Sequence, residues 1–243
     1  MVFEALISAK RAERHPLLIF LLGILYSSLA IIFVISVFDK YFKSLFISMM
    51  VFASIPLFHK IIIIEEKKEK FFDKEMPLIK EHEKAIKAFI ALFLGFVVSL
   101  TLWFTFLPET TVLDLFSSQI QEIELIQSSI TGKVIAPDIF SMLITHNLKV
   151  VLFSFLFSFF FGAGALFIFS WNASLIATAV GSYIRQTVSL VSPDSSLLLF
   201  SSYLGSFGYG LLAYLFHGIF EITSYFFAGL AGGIIGVAVI RHD

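Results

Sequence analysis

Apolar runs of about twenty residues recur along this chain, and between 197 and 240 they merge into one almost unbroken stretch of 44 residues. About 20 apolar residues in a helix match the hydrocarbon thickness of a bilayer. With no water to hydrogen-bond in lipid, a spanning segment must satisfy its backbone internally, which a helix does. The expected fold is therefore an all-α polytopic membrane protein. Composition agrees: 58% of the residues are hydrophobic, 31 are phenylalanine, only 14% are charged, and mean hydropathy is +0.93. A soluble domain needs about 25% charged residues.

Interruptions in the apolar runs place about seven hydrophobic helices, at 17–38, 45–64, 85–107, 148–170, 173–191, 197–215 and 218–240, six or seven of them spanning. The run after "MVFEALISAKRAERHP" is too long for a signal-peptide core and lacks a small-residue cleavage site, so it reads as retained. Arg185 and Gln186 leave open whether 173–191 crosses fully or is re-entrant or interfacial. The stretch 197–240 must fold back, and "LFHG", where polar His217 meets flexible Gly218, is the expected turn. Pro137 and Asp138 look like a helix start, with Asp138 as cap, leading through "IFSMLITHN" into the fourth span.

Charge sets the orientation. Eleven of the 17 basic residues, among them Lys10, Arg11, Arg14, Lys60, Lys67, Lys80 and Lys87, flank one side of the first three spans. By the positive-inside rule that side is cytoplasmic. The multi-pass protein then sits in the cell membrane with its N-terminus and loop 65–84 inside. That loop mixes both signs and reads as a solvated helical hairpin or helix extension. Segment 108–137 falls outside, where Leu113, Phe116, Ile120, Ile123 and Ile130 recur with amphipathic helical spacing, suited to lying on the membrane or on a partner.

The expected domains are a three-span region 1–107, the extracytoplasmic segment 108–137 and a Gly-rich core 138–243 to which the first three helices are an addition. No internal repeat is visible. In the core, Gly229 with Gly233 and Gly232 with Gly236 form small-xxx-small pairs, suited to packing inside the chain or in a homodimer. Gly162 and Gly164 in "FFFGAGALF" sit within a span and read as helix packing.

Two ionisable residues interrupt the last apolar run. His217 and Glu221 are one helical turn apart and share a face. Charged groups inside a membrane are costly and mark sites. With the fourth span ending at "FSWNASL", Trp171 and Asn172 would reach the same cytoplasmic face. Asn172, His217 and Glu221 would then meet, while His146 and Asn147 would lie about 30 Å away at the outer end. One use of the cluster is a structural lock on a broken helix. Another is proton or ion conduction by a carboxylate beside an imidazole. A metal is disfavoured because His and Glu supply only two ligands, and no cofactor is indicated. With no cysteine there is no thiolate chemistry. Motifs of zinc peptidases, serine hydrolases, phosphate-binding loops and dinucleotide sites are missing, so no enzyme is expected. A net charge of −1 gives no support to nucleic-acid binding.

Two stretches resemble the stage II sporulation protein M family of integral membrane proteins, over about 138–240. "HNLKVVLFSFLFSFFFGAGALFIFSWNASLIATAVG" is similar to its asparagine start, glycine-containing span and aromatic-asparagine turn. "FHGIFEITSYFFAGLAGGIIGVAV" is similar to its His-Gly-x-x-Glu motif before a small-residue helix. The chain departs from the pattern at His146, Ala173 and Phe216. The resemblance carries over onto Asn147, Asn172, His217, Gly218 and Glu221. For the sporulation member it implies a scaffold that holds secreted cell-wall hydrolases during engulfment. For this chain that becomes a scaffold or assembly factor whose partners are the lipid bilayer, other membrane or extracytoplasmic proteins and a second copy, with segment 111–130 as docking surface. The contrasting expectation is a proton- or ion-coupled transporter or channel using Glu221 and His217, and a third is an intramembrane hydrolase.

Overall fold

The computed structural model describes residues 15–69, 75–131, 136–161, 164–191 and 196–241, and among these it is helical with no strand. The helices are α1 (Pro16–Val37), α2 (Phe46–Glu69), α3 (Glu75–Phe106), α4 (Glu109–Leu115), α5 (Ser117–Thr131), α6 (Ala136–Phe161), α7 (Ala165–Ser189) and α8 (Ser196–Arg241). A 3-10 segment, Lys40–Leu45, joins α1 to α2. Proline punctuates the far connections as its missing N–H and fixed φ demand: Pro16 opens α1 and Pro108 caps α4. Pro56 lies inside α2, which a membrane helix tolerates where neighbouring groups satisfy the freed backbone.

Among the described residues, six segments are long and apolar enough to cross a membrane: Pro16–Val37, Lys43–Lys67, His82–Phe106, Ala165–Ser189, and the two parts of α8, Ser196–Tyr214 and Ile222–Ile240. The chain is a multi-pass membrane protein of the all-α class. Helices α1, α3 and α7 run in one sense, and α2, α6 and α8 in the other, as the contacts show. Gly23 meets Gly95 where α1 crosses α3, and Ser28 Oγ bonds Ser99 Oγ one turn on, at 3.0 Å. Phe58 stacks on Phe89 between α2 and α3 with centroids 4.5 Å apart. Helix α8 returns antiparallel along α7, with Gly210 against Val180, Phe226 against Phe169 and Gly229 against Ala165.

Close approach explains the glycines. A Cβ on Gly232 or Gly236 would fall on the carbonyl oxygen of Phe155 or Phe159, so α6 and α8 touch backbone to backbone. Between them Ser154 Oγ donates to the Tyr225 carbonyl at 3.1 Å and Ser158 Oγ to that of Gly229 at 2.5 Å. On the same helix, Gly229 faces Ala165 and Gly233 faces Ile62 and Ser158. All four glycines of the small-xxx-small pairs thus contact other helices of the same chain.

Several expectations are corrected. The run 148–170 is not one span: α6 begins already at Ala136, so Asp138 lies in its first turn rather than at its cap, and α6 ends at Phe161. Gly164 is the residue before α7, with φ −62°, where a Cβ would strike the Phe157 carbonyl. Here it serves a tight reversal, not packing within a span; Gly162 lies outside the described residues. Helix α7 then runs unbroken from Ala165 to Ser189, long enough to span. Arg185, the reason to doubt this, is satisfied by the end of α3: Nε donates to the Phe104 carbonyl at 2.9 Å and Nη2 to that of Leu107. These belong to the terminal carbonyls a helix cannot satisfy itself. Arg185→Met should therefore lower stability by about 1–2 kcal/mol, and Arg185→Lys should recover only part because it lacks the planar fork; thermal unfolding in mild detergent checks both.

No turn occurs at "LFHG". Helix α8 is a single helix of 46 residues through His217 and Gly218. The physical reason is that the backbone freedom a glycine loses in a helix costs only about 1 kcal/mol, less than the several kcal/mol of leaving backbone groups unpaired in an apolar surround. The first three helices pack closely onto the rest of the bundle. Helix α3 packs between α1 and α7, while α2 reaches α7 and α8 through Phe58–Phe169 and Ile62–Gly233. Segment 108–137 does not simply lie on the surface: Val112, Leu115, Phe116 and Gln119 are buried, with Phe116 between Phe46 and Phe104. Leu113 remains exposed, and the side chain of Ile130 lies outside the described residues. Lys43 ties the 3-10 segment to α4 through Asp114 at 3.0 Å.

Candidate functional site: polar groups inside the bundle

The side chains of His217, Gly218, Glu221 and His146 lie outside the described residues, but the helices that carry them are placed. Asn172 is in the interior of α7, not at a helix end, and its Nδ2 donates to the Ile168 carbonyl at 2.8 Å. Contacts on both sides bracket it: Val180 with Gly210 on one side and Phe169 with Phe226 on the other. Positions 217 and 221 of α8 fall in the same bracket. Asn172 and the His217–Glu221 turn therefore share a level of the bundle, away from the ends of α7.

Asn147 is not remote. Its Oδ1 accepts from the Tyr225 hydroxyl at 3.1 Å, and Tyr225 is one helical turn beyond Glu221. The error came from reading 148–170 as one span: Asn147 is on α6 and Asn172 on α7, two helices on either side of the reversal before Gly164, so they are not the two ends of one helix. Side chains on a helix lean toward its N-terminus, so the Tyr225 hydroxyl reaches back toward the level of Glu221. Asparagines of α6 and α7 thus flank the α8 segment that carries the His-Gly-x-x-Glu residues. Because α8 does not break there, a lock on a broken helix has no break to act on. Of the described polar groups at this level, Asn147 ties α6 to α8 through Tyr225, and Asn172 bonds within its own helix.

Just beyond this level the bundle is filled by rings. Phe169 and Phe226 meet edge to face at 4.5 Å, Phe93 and Phe226 at 5.9 Å, and Phe58 and Phe169 at 6.1 Å. Phe58 and Phe226 have no exposed surface.

Two polar features were missed by sequence reasoning. Glu65, placed in a solvated loop, has a fully buried side chain whose Oε2 lies 2.6 Å from His82 Nδ1. Glu66 beside it is buried as well. The mixed-charge run "EEKKEK" hides this, since α2 continues to Glu69 and only its apolar phase reveals which acids face inward. The second feature is on α5. Gln119 Nε2 donates to Ser174 Oγ at 3.1 Å inside the bundle, and Glu122, one turn on, lines a cavity of about 710 Å³ with Asn172 and Trp171. Among the described residues no group of three or more His, Cys, Asp or Glu is arranged to hold a metal.

No curated protein and no solved structure matches the chain. A family model, that of stage II sporulation protein M, matches residues 88–243. The match begins fifty residues earlier than the expected 138, taking in most of α3 together with α4 and α5, in keeping with the way α3 packs on α7. Covering well over half of the chain, it shows that the protein belongs to the stage II sporulation protein M family.

Proposed function

We propose that the chain is a non-catalytic membrane scaffold or assembly factor, oriented with its N-terminus and loop 65–84 on the cytoplasmic side of the cell membrane. The observation that carries this reading is the aromatic filling of the bundle around Phe58, Phe169 and Phe226, next to the level of Glu221. A relay through Glu221 and His217 needs a wet path on both sides, and close-packed rings leave little room for one. A scaffold needs only a fixed shape. Backbone contacts at Gly232 and Gly236 and the serine ties of α6 favour that. Partners would be other membrane or extracytoplasmic proteins or a second copy. The small-xxx-small glycines, occupied within the chain, would not form the homodimer contact.

Proton- or ion-coupled transport is the second reading, favoured by the buried Glu65–His82 pair as well as by His217 and Glu221. One pair of measurements separates the two. Affinity purification from native membranes in mild detergent, comparing wild type with Glu221→Gln at matched expression, should show specific partners that the variant loses. Reconstituted wild-type protein should show no pH-dependent flux. Flux that Glu221→Gln abolishes, with no partner retained by wild type, would replace the scaffold by the transporter.

A further inference from the structure

The cavity between α5, α6 and α7 has a composition that the packing of the bundle does not explain. Its walls are Phe153, Phe157 and Phe167, each about half exposed so that the cavity opens on the outside of the bundle, and among the described residues its polar side chains are Glu122, Asn172 and Trp171. At about 710 Å³ it falls in the range of small-molecule pockets, roughly 300–1,000 Å³. Glu122 is half-buried, and among the described residues it makes no hydrogen bond or ion pair.

Depth matters here. Asn172 stands about 10 Å from the start of α7 and about 25 Å from its end at 1.5 Å per residue. Glu122 shares a cavity with it, and Gln119 one turn earlier bonds Ser174, so the carboxylate stands beside the interior of α7 rather than at either of its ends. A carboxylate at such a level is costly unless a cation meets it. Aromatic rings favour an ammonium in their company, and the apolar walls favour a hydrocarbon body. An anionic ligand would be repelled, and a neutral one would leave the carboxylate unmatched. The headgroup of a bilayer lipid sits at the surface and would have to be drawn well inward to reach Glu122.

We infer that this cavity binds a small hydrophobic amine, its ammonium held by Glu122 beside Asn172 and Trp171 and its apolar body against the three phenylalanines. The site is independent of whether the protein acts as a scaffold.

The chain has two tryptophans, so Trp103→Phe leaves Trp171 as the sole reporter inside the cavity. In phosphatidylcholine nanodiscs this variant is titrated with n-decylamine, n-decanol and n-decanoate. A saturable change in Trp171 emission is expected, with decylamine binding about tenfold tighter than decanol, the scale of one charge-assisted hydrogen bond. Glu122→Gln should erase that preference without changing the elution profile. Leu175→Phe, which narrows the cavity and leaves the carboxylate in place, should weaken both ligands. Equal responses to amine and alcohol, or a preference that survives Glu122→Gln, would overturn the assignment. If the decylamine response disappears in phosphatidylethanolamine nanodiscs, a lipid headgroup is the occupant and the free amine is wrong; persistence there supports the amine. Should Trp103→Phe fail to fold, the wild-type protein is read by the rise in its unfolding midpoint with the same three ligands, and equal rises count against the proposal.

Discussion

Replacing Gly232 by alanine should lower the stability of the protein by about 1–3 kcal/mol, the usual cost of forcing volume into a packed site. Alanine is the better helix former by up to about 1 kcal/mol, so propensity alone predicts the opposite sign. The close contact decides it. The added methyl would fall on the Phe155 carbonyl oxygen and lie 3.1 Å from its carbon, all backbone atoms that no rotamer change can move aside. Gly205, on the same helix, has nothing within 4 Å of its Cβ position. Gly205→Ala should accordingly be neutral or slightly stabilising. Unfolding midpoints of the two variants in one detergent test this, and equal effects would show that α6 and α8 are not in backbone contact.

His82→Leu should cost about 3 kcal/mol, because it strips a buried carboxylate of a partner 2.6 Å away. The side chain of Glu65 has no solvent exposure, so water cannot replace the imidazole without opening the helix ends. The double substitution Glu65→Leu, His82→Leu should recover much of that loss, since replacing a buried pair by apolar groups of similar volume is often neutral or better. A double variant as unstable as the single one would mean that His82 acts mainly through packing. Near-native stability in His82→Leu itself would mean that other neighbours of Glu65 suffice.

Membrane class and the first three spans were legible because they depend on run length and flanking charge, which the bilayer reads directly. The expected 17–38 became Pro16–Val37. The reversal at Gly164 was hidden because a glycine that turns the chain and a glycine that lets helices touch look alike within an apolar run. Only the neighbouring Phe157 carbonyl, distant in no sequence pattern, tells them apart. The same blindness worked in reverse at Gly218, where a plausible turn is helix. Once the reversal was misplaced, Asn147 and Asn172 were carried to the wrong levels. The bond from Tyr225 to Asn147 was unreadable for that reason. The inward face of Glu65 and Glu66 depended on how far α2 continues past its apolar run, and composition gave no sign of that.

Uninterrupted, α8 is about 69 Å long at 1.5 Å per residue. The hydrocarbon layer is about 30 Å thick, and even the steepest common tilt of about 40° would leave the helix roughly 20 Å too long for it. The surplus is apolar: Leu197 and Phe200 at its first end are 76% and 66% exposed. Such a mismatch is relieved by tilt or by local thickening of the lipid, each at a modest cost per ångström. Unfolding midpoints in nanodiscs of increasing acyl-chain length should therefore rise, and a flat series would mean that α8 does not stand straight in the bilayer. Through this one helix the thickness of the surrounding membrane becomes a determinant of how stable the protein is.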